Sequence, residues 1–216
     1  YEDYNAMKEH VSLDLSSPEE RPRFHELVAQ ADALIEGFRP AAKIRLGLDE
    51  KTLHGVNRRL CIVSLVGYPE DGPWRDRAGH DLNFQALSGM LSLFGEQPGL
   101  PLGEILGAYE GAFSLMCALD EATRTGRGTR VVMSFFETMK RIQSRLVRDF
   151  QHSGETPRPG GTLFSGMYPC YHVYRAKDGR RIAVGALEHK FWVKVCEVVG
   201  TPDLINDGLA TGIAAD

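Results

Sequence analysis

The sequence has little of what marks several easily recognised protein classes. It carries no excess of positive charge, because 25 Lys and Arg stand against 29 Asp and Glu, giving a formal net charge of −4 over 216 residues. Nucleic-acid-binding proteins usually show a basic excess, so we expect no nucleic-acid partner. No stretch resembles the run of about 20 apolar residues in a membrane span, and the first residues lack the pattern of a signal peptide. We therefore expect a cytoplasmic protein without a membrane partner.

Motifs for metal, disulfide and several hydrolytic chemistries are also absent. The cysteines at positions 61, 117, 170 and 196 lie in apolar stretches without a Cys-x-x-Cys pair, which favours buried, reduced thiols. There is no glycine-rich dinucleotide motif, P-loop lysine, His-Glu-x-x-His or Gly-x-Ser-x-Gly. Nucleotide hydrolysis, zinc peptidase and serine hydrolase functions therefore lose their main support, and we expect no metal site.

What is present is an alternation of strands and helices. Residues 10–15 alternate in polarity like a short strand, and Ser17 with the following Pro-Glu-Glu predicts a capping box that starts a helix. A second strand is expected over 31–35, and Asp49 is a candidate cap for the next helix. The continuously apolar run 60–66 is typical of a parallel strand covered on both faces. This pattern predicts an α/β fold with an open parallel, Rossmann-like sheet and flanking helices.

The second half predicts helices, one more strand and a hairpin. The expected elements are helices over 81–94 and 104–124, a strand over 130–134, a helix to about 152, a hairpin turning at 177–179 and a helix over 188–199. The polar segment 153–161 is the best linker candidate. We therefore expect a large α/β domain over 1–153, and over 154–216 a linker and the start of a smaller α+β domain.

Three side chains stand where such folds often place chemistry, although each has an ordinary structural explanation. His80 lies where a loop enters a helix, a position that favours a neutral, basic imidazole but also suits a capping or packing residue. Glu104 stands in the first turn of a helix, where an acid commonly compensates the helix dipole. Glu188 ends a strand and begins a helix, so it could serve a site or a cap. Taken singly, these positions leave both interpretations open.

Longer sequence motifs favour a functional interpretation of these side chains. The loop over 67–81 (GYPEDGPWRDRAGHD), the segment 34–40 (LIEGFRP), Arg-Leu-Gly at 45–47 and Thr-Gly-Arg-Gly at 125–128 resemble the family III CoA-transferase superfamily, the CaiB/BaiF group. The similarity runs from about residue 11 to 204. The stretches Gly-His-Asp-Leu-Asn-Phe and Ala-Val-Gly-Ala-Leu-Glu look most like its α-methylacyl-CoA racemase branch.

The resemblance implies a set of catalytic roles. His80 would be a catalytic base supported by Glu188, and Glu104 would stand at the position of a family aspartate, or Gly103 would if the alignment shifts by one residue. A glutamate moves the carboxylate by one methylene, which harms a nucleophile more than a proton shuttle. We expect Glu104 to be buried among its apolar neighbours at positions 102, 105 and 106, an environment that favours the protonated acid.

The resemblance also implies how the substrate is held. Arg39 and Arg45 would meet the CoA phosphates, and Asp81 and Phe84 would line the pantetheine path. No cofactor is expected beyond the CoA moiety of the substrate. Family members form interlocked homodimers, so the same is expected here, and an N-terminal strand–helix unit of the family fold is expected to be missing.

The function expected from these observations is an acyl-CoA racemase or epimerase of lipid metabolism that inverts the α-carbon of a 2-methylacyl-CoA thioester through an enolate. The first alternative is a family III CoA-transferase that moves CoA between carboxylic acids. The second alternative is an impaired acyl-CoA-binding paralogue.

Overall fold

The computed structural model describes residues 5–94 and 96–211. The chain divides into two compact units, one comprising residues 1–88 and 101–142 and the other 89–100 and 143–216. These units do not test the predicted division into a large domain over 1–153 and a smaller one over 154–216, which stays a prediction. The two units are described separately below.

The first unit contains the parallel sheet and its flanking helices. In chain order its elements are α1 (Arg21–Gln30), β1 (Ala33–Glu36), α2 (Pro40–Leu46), α3 (Glu50–Val56), β2 (Cys61–Val66), α4 (Asp81–Leu87), α5 (Leu102–Thr125), β3 (Arg130–Ser134) and α6 (Phe135–Ile142). The strand order is β1-β2-β3, and both pairings are parallel. The mixed α/β fold with a parallel sheet, predicted from the alternation of elements, is therefore confirmed.

Both faces of β2 are covered, as its apolar sequence predicts. On one face, Ile62 packs in a buried cluster with Val28 of α1 and Leu53 of α3. On the other face, α5 approaches so closely that a Cβ on its Gly111 would lie 3.1 Å from the side chain of Leu65. The first four residues of β2 are buried, so the hydrophobic core extends along the strand almost to its carboxyl end.

Helix α5 packs on the sheet along one narrow face and exposes large apolar side chains elsewhere, among them Tyr109 and Phe113. By length and composition alone it could cross a membrane, but a core helix of a soluble protein passes the same test. Its buried face consists of small residues, among them Gly103, Gly107 and Gly111, so the helix backbone lies directly on the sheet. Gly126 ends the helix in the left-handed conformation, with a φ of 70°, as the Thr-Gly-Arg-Gly motif predicts.

The second unit contains a hairpin and short helices. Its elements are a 3-10 turn (Met90–Leu93), α7 (Ser144–Ser153), a 3-10 turn (Leu163–Ser165), β4 (Tyr171–Arg175), β5 (Arg181–Gly185), α8 (His189–Val199) and a 3-10 turn (Pro202–Leu204). Strands β4 and β5 pair antiparallel, so the predicted hairpin is confirmed. Its buried core brings together Cys170, Ala186, Trp192 and Cys196.

Two predictions near the N-terminus are wrong. Residues 10–15 form no strand; instead Asp14 Oδ1 accepts hydrogen bonds from the backbone N–H and the hydroxyl of Ser16, a local turn that competes with extended pairing. The hydroxyl of Ser17 donates to the Glu19 carboxylate rather than capping a helix. Helix α1 therefore begins only at Arg21, without a side-chain cap.

Other boundaries differ in ways that matter less for the site. Helix α2 was not predicted, and the helix expected over 81–94 ends at Leu87 before a 3-10 turn. The helix expected to run to about 152 is two helices, α6 and α7, that fall in different units. Cys117 is exposed, whereas the other three cysteines are buried and free as predicted. The cap at Asp49 is confirmed, because its carboxylate accepts the N–H of Thr52 at 3.0 Å.

Candidate active site at the carboxyl ends of the strands

A pocket of about 290 Å³ lies where the three parallel strands end. Its walls come from the residues that follow β1, the end of β2 with the loop after it, and the first residue after β3. Parallel α/β folds commonly bind ligands at this edge of the sheet. Of the predicted site residues, the pocket brings together Arg39, His80, Phe84 and Glu104.

His80 reaches the pocket because of its place at the start of α4. Its backbone is extended, and its N–H donates to the side-chain oxygen of Asn83 at 2.9 Å. This bond fixes the main chain at the point where the loop turns into the helix. The imidazole is exposed and takes part in no ion pair within the described part of the first unit. His80 is therefore available for proton transfer.

Glu104 lines the same pocket from the first turn of α5. It is exposed, and Ile105 beside it is 38% exposed, so the expectation that its apolar neighbours bury it is wrong. The reason is helical geometry: α5 turns its glycines toward the sheet, and the adjacent position, about 100° around the helix, points outward. Gly103, the alternative position for the acid, is buried, and a Cβ there would lie 2.9 Å from the Asp81 carboxylate.

Phe84 and the aromatic residues around it shape the floor of the pocket. The Phe84 ring lies edge-on to Tyr68 and stacks on Phe135, with centroid distances of 5.2 and 5.8 Å. A Cβ on Gly79 would lie 2.7 Å from this ring, so the glycine before His80 lets the loop pass over it. Tyr68 and Phe135 also line the pocket and were not predicted. The signal that could have found them is their position just after strands β2 and β3.

Three predicted residues do not line this pocket. Asp81 is buried and makes internal hydrogen bonds. Arg45 is exposed near the end of α2. Glu188 belongs to the second unit, where it is exposed and precedes the first residue of α8 without a side-chain capping bond.

A second pocket, of about 580 Å³, adjoins the first along the loop after β2. The two share Pro40, Glu70 and Arg75 as lining residues. The loop thus forms a common wall.

A network of ion pairs supports this wall. Glu70 accepts hydrogen bonds from Lys43 of α2 at 2.5 Å and from Arg130 of β3 at 2.6 Å. Lys43 also lies 3.3 Å from Glu36 at the end of β1. Burial favours the neutral form of Glu70, but the bonds to Arg130 and Lys43 outweigh it and hold the pKa of Glu70 below its ordinary value. No local pattern in the sequence indicates this network.

Comparison with known proteins agrees with this architecture. The model of the family described as "CoA-transferase family III" matches residues 1–214. The chain is 34% identical to the human alpha-methylacyl-CoA racemase over 97% of this chain and 56% of the racemase. It is 26% identical to the succinyl-CoA–D-citramalate CoA-transferase of Chloroflexus aurantiacus over 93% of this chain and 51% of the transferase.

A solved structure shows a similar fold. The crystal structure of a CAIB/BAIF family protein from Brucella suis superposes with a TM-score of 0.77 at 25% identity, covering 94% of this chain and 55% of that chain. This chain therefore spans about half the length of these similar proteins.

Proposed function

Since the chain belongs to CoA-transferase family III, we propose that it inverts the α-carbon of a 2-methylacyl-CoA thioester by proton transfer. The observation that carries this proposal is the placement of His80 and Glu104 on one pocket. Both side chains are exposed to that pocket, and neither is in an ion pair within the described part of the first unit. Inversion of a carbon atom needs a base and an acid that both reach it, and this pocket offers one of each.

The reaction needs two groups because the proton leaves from one face and returns on the other. The thioester carbonyl makes the α-proton acidic, since the enolate spreads its charge onto the carbonyl oxygen. His80 takes the proton on one face, and the carboxyl group of Glu104 delivers a proton to the opposite face. In the reverse direction the roles exchange. Only bonds to hydrogen are broken and formed, so the proposal includes no metal or redox cofactor.

The remaining predicted residues belong to substrate binding and orientation. The guanidinium of Arg39 lines the pocket with the catalytic pair and suits a CoA phosphate, which it can bind through two parallel hydrogen bonds. We retain Arg45 as a second phosphate ligand. We further propose a cytoplasmic homodimer acting in lipid metabolism. The exposed apolar residues Tyr109 and Phe113 on α5, 74% and 72% exposed, support an interface on that helix.

A CoA-transferase is the second candidate, and the Chloroflexus transferase among the similar proteins favours it. In that reaction the Glu104 carboxylate would attack the thioester carbonyl, form an acyl anhydride and release the CoA thiolate. The carboxylate of the second acid would then attack the Glu104 carbonyl of this anhydride and displace the first acid. The thiolate would attack the acyl carbonyl of the new anhydride, form the new thioester and release the Glu104 carboxylate. A nucleophile needs tighter geometry than a proton shuttle. The longer and exposed side chain of Glu104 therefore favours racemisation.

The decisive experiment follows the α-position of one enantiomer of a 2-methylacyl-CoA in D2O by NMR, with the full-length protein. Deuterium incorporation with loss of optical purity is the expected result, and the loss of optical purity should be abolished in His80→Ala. No exchange in a folded, CoA-binding protein would refute racemisation. A free carboxylate acceptor is then added. Formation of a new CoA thioester would establish the transferase, and its absence would leave an acyl-CoA-binding paralogue.

A further inference from the structure

Asp81 follows His80 directly, and it is only 8% exposed. Both of its carboxylate oxygens accept hydrogen bonds within the first unit. Oδ1 accepts the backbone N–H of Glu104 at 2.8 Å, and Oδ2 accepts a short hydrogen bond from the side-chain amide of Gln85. The carboxylate therefore links the first turn of α4 to the first turn of α5.

We propose that Asp81 is a positioning residue that holds His80 and Glu104 at their working separation. This inference rests on the proposed function, because it assigns the two linked residues as the proton-transfer pair. It differs from the expectation that Asp81 lines the pantetheine path. The link runs through one side chain from the residue next to His80 to the backbone of Glu104 itself.

The start of α5 is built to receive this carboxylate. Pro101 precedes the helix and supplies no side-chain cap, so the Asp81 oxygen takes over the capping of an N–H at the positive end of a 24-residue helix. Gly103 makes room for it, since a Cβ there would lie 2.9 Å from Oδ1. A charged acceptor forms a stronger bond than a neutral one.

The main chain is fixed on both sides of His80. The side-chain oxygen of Asn83 accepts the N–H of His80. The carboxylate of Asp81, the residue after His80, accepts the N–H of Glu104 in α5. A displacement of about 1 Å between reacting groups can reduce a rate by about 100-fold. Loss of the link should therefore reduce the turnover number more than it weakens substrate binding.

The test compares Asp81→Ala with Asp81→Asn, which keeps a side-chain oxygen that can accept the N–H of Glu104. We expect kcat for racemisation to fall by about 10- to 100-fold in Asp81→Ala, with KM changed by less than about twofold. Asp81→Asn should recover most of kcat. Asp120→Ala, which removes an exposed aspartate from the solvent face of α5, is the control and should leave kcat unchanged.

Hydrogen exchange at the amide of Glu104 measures the link without any turnover. This amide should exchange slowly in the wild type and in Asp81→Asn, and rapidly in Asp81→Ala. Unchanged protection in Asp81→Ala would overturn the inference, and so would a kcat loss no larger than that of Asp120→Ala. An Asp81→Asn protein that keeps the protection but loses kcat like Asp81→Ala would also overturn it. A wild type without racemisation would refute the proposed function and, with it, the catalytic role of Asp81; the exchange data would still show whether the link exists.

Discussion

Two groups of charged residues share the first unit and differ in how their charges are matched. In the ion-pair network, formed by Glu36, Lys43, Glu70 and Arg130, two acids face two bases. The side chains of Glu36 and Lys43 are 3% and 7% exposed, and every member has a partner of opposite charge. Such a network fixes neighbouring elements in place because separating any pair leaves a buried charge alone.

The second group, on the adjoining pocket, is arranged in the opposite way. Arg39, His80 and Glu104 are exposed to the pocket, and none of them is in an ion pair within the described part of the first unit. Charges that are left unmatched contribute little to stability and are available to a ligand. The comparison therefore separates a group that supports the site from a group that acts in it, and mutations should affect the two differently.

The largest effect is expected for Glu104→Gln, which removes one of the two proton-transfer groups. Racemisation should fall by about 10²- to 10⁴-fold, the usual contribution of a general acid or base. His80 should still exchange the α-proton of the enantiomer that it faces, so deuterium enters one enantiomer without inversion. NMR of each enantiomer in D2O measures both effects.

In the matched variant His80→Gln, exchange of the α-proton should persist only in the other enantiomer, the one that faces Glu104. Neither variant should change the free energy of unfolding by more than about 0.5 kcal/mol, because both side chains are exposed. Equal loss of exchange on both enantiomers in each variant would contradict a two-base mechanism. A large loss of stability would contradict the division between the two groups.

The next effect concerns stability and comes from Lys43→Met. The substitution keeps the length of the side chain but leaves the nearly buried carboxylate of Glu36 without its cation. Removing one partner of a buried pair typically costs about 3–5 kcal/mol, so we expect a loss of about 3 kcal/mol in urea denaturation. The double variant Glu36→Gln/Lys43→Met should recover part of this loss.

Arg124→Met is the matched control for this prediction. It breaks an ion pair with Asp120 in which both side chains are mostly exposed, so its cost should be below about 1 kcal/mol. Similar costs for Lys43→Met and Arg124→Met would show that burial does not set the strength of the network.

The parts of this architecture that could be predicted from the sequence are those with a local signal. The apolar run of β2, the hairpin turn and the cap at Asp49 each depend on neighbouring residues, and each is confirmed. His80 and Glu104 have a weaker local signal: each stands at the start of a helix, but their place in one site was expected only from the resemblance to the family.

The network could not be predicted because its partners are distant in sequence. Glu70 is separated from Lys43 by 27 residues and from Arg130 by 60, and only the parallel sheet brings them together. The exposure of Glu104 was missed for a related reason. Its apolar neighbours suggest burial, but the close approach of the glycine face of α5 to the sheet decides which side of the helix faces inward.

The smallest effect is the pH dependence of the network, measured with Glu70→Gln. The ion pairs hold the pKa of Glu70 below its ordinary value of 4.5, so the folded state binds a proton less readily than the unfolded state. The stability that Glu70 contributes is therefore fully present above about pH 4.5 and is lost as the pH falls through the pKa of the folded state.

The difference in unfolding free energy between wild type and Glu70→Gln should be largest at neutral pH and shrink below pH 4.5. Asp178→Asn is the control, because hydrogen bonds from the side chain and the backbone N–H of Arg180 also lower the pKa of Asp178, but this carboxylate is fully exposed. Screening by solvent should make its effect much smaller. A difference for Glu70→Gln that stays constant from pH 7 to pH 3 would show that its carboxylate does not stabilise the wall as an ion-pair partner.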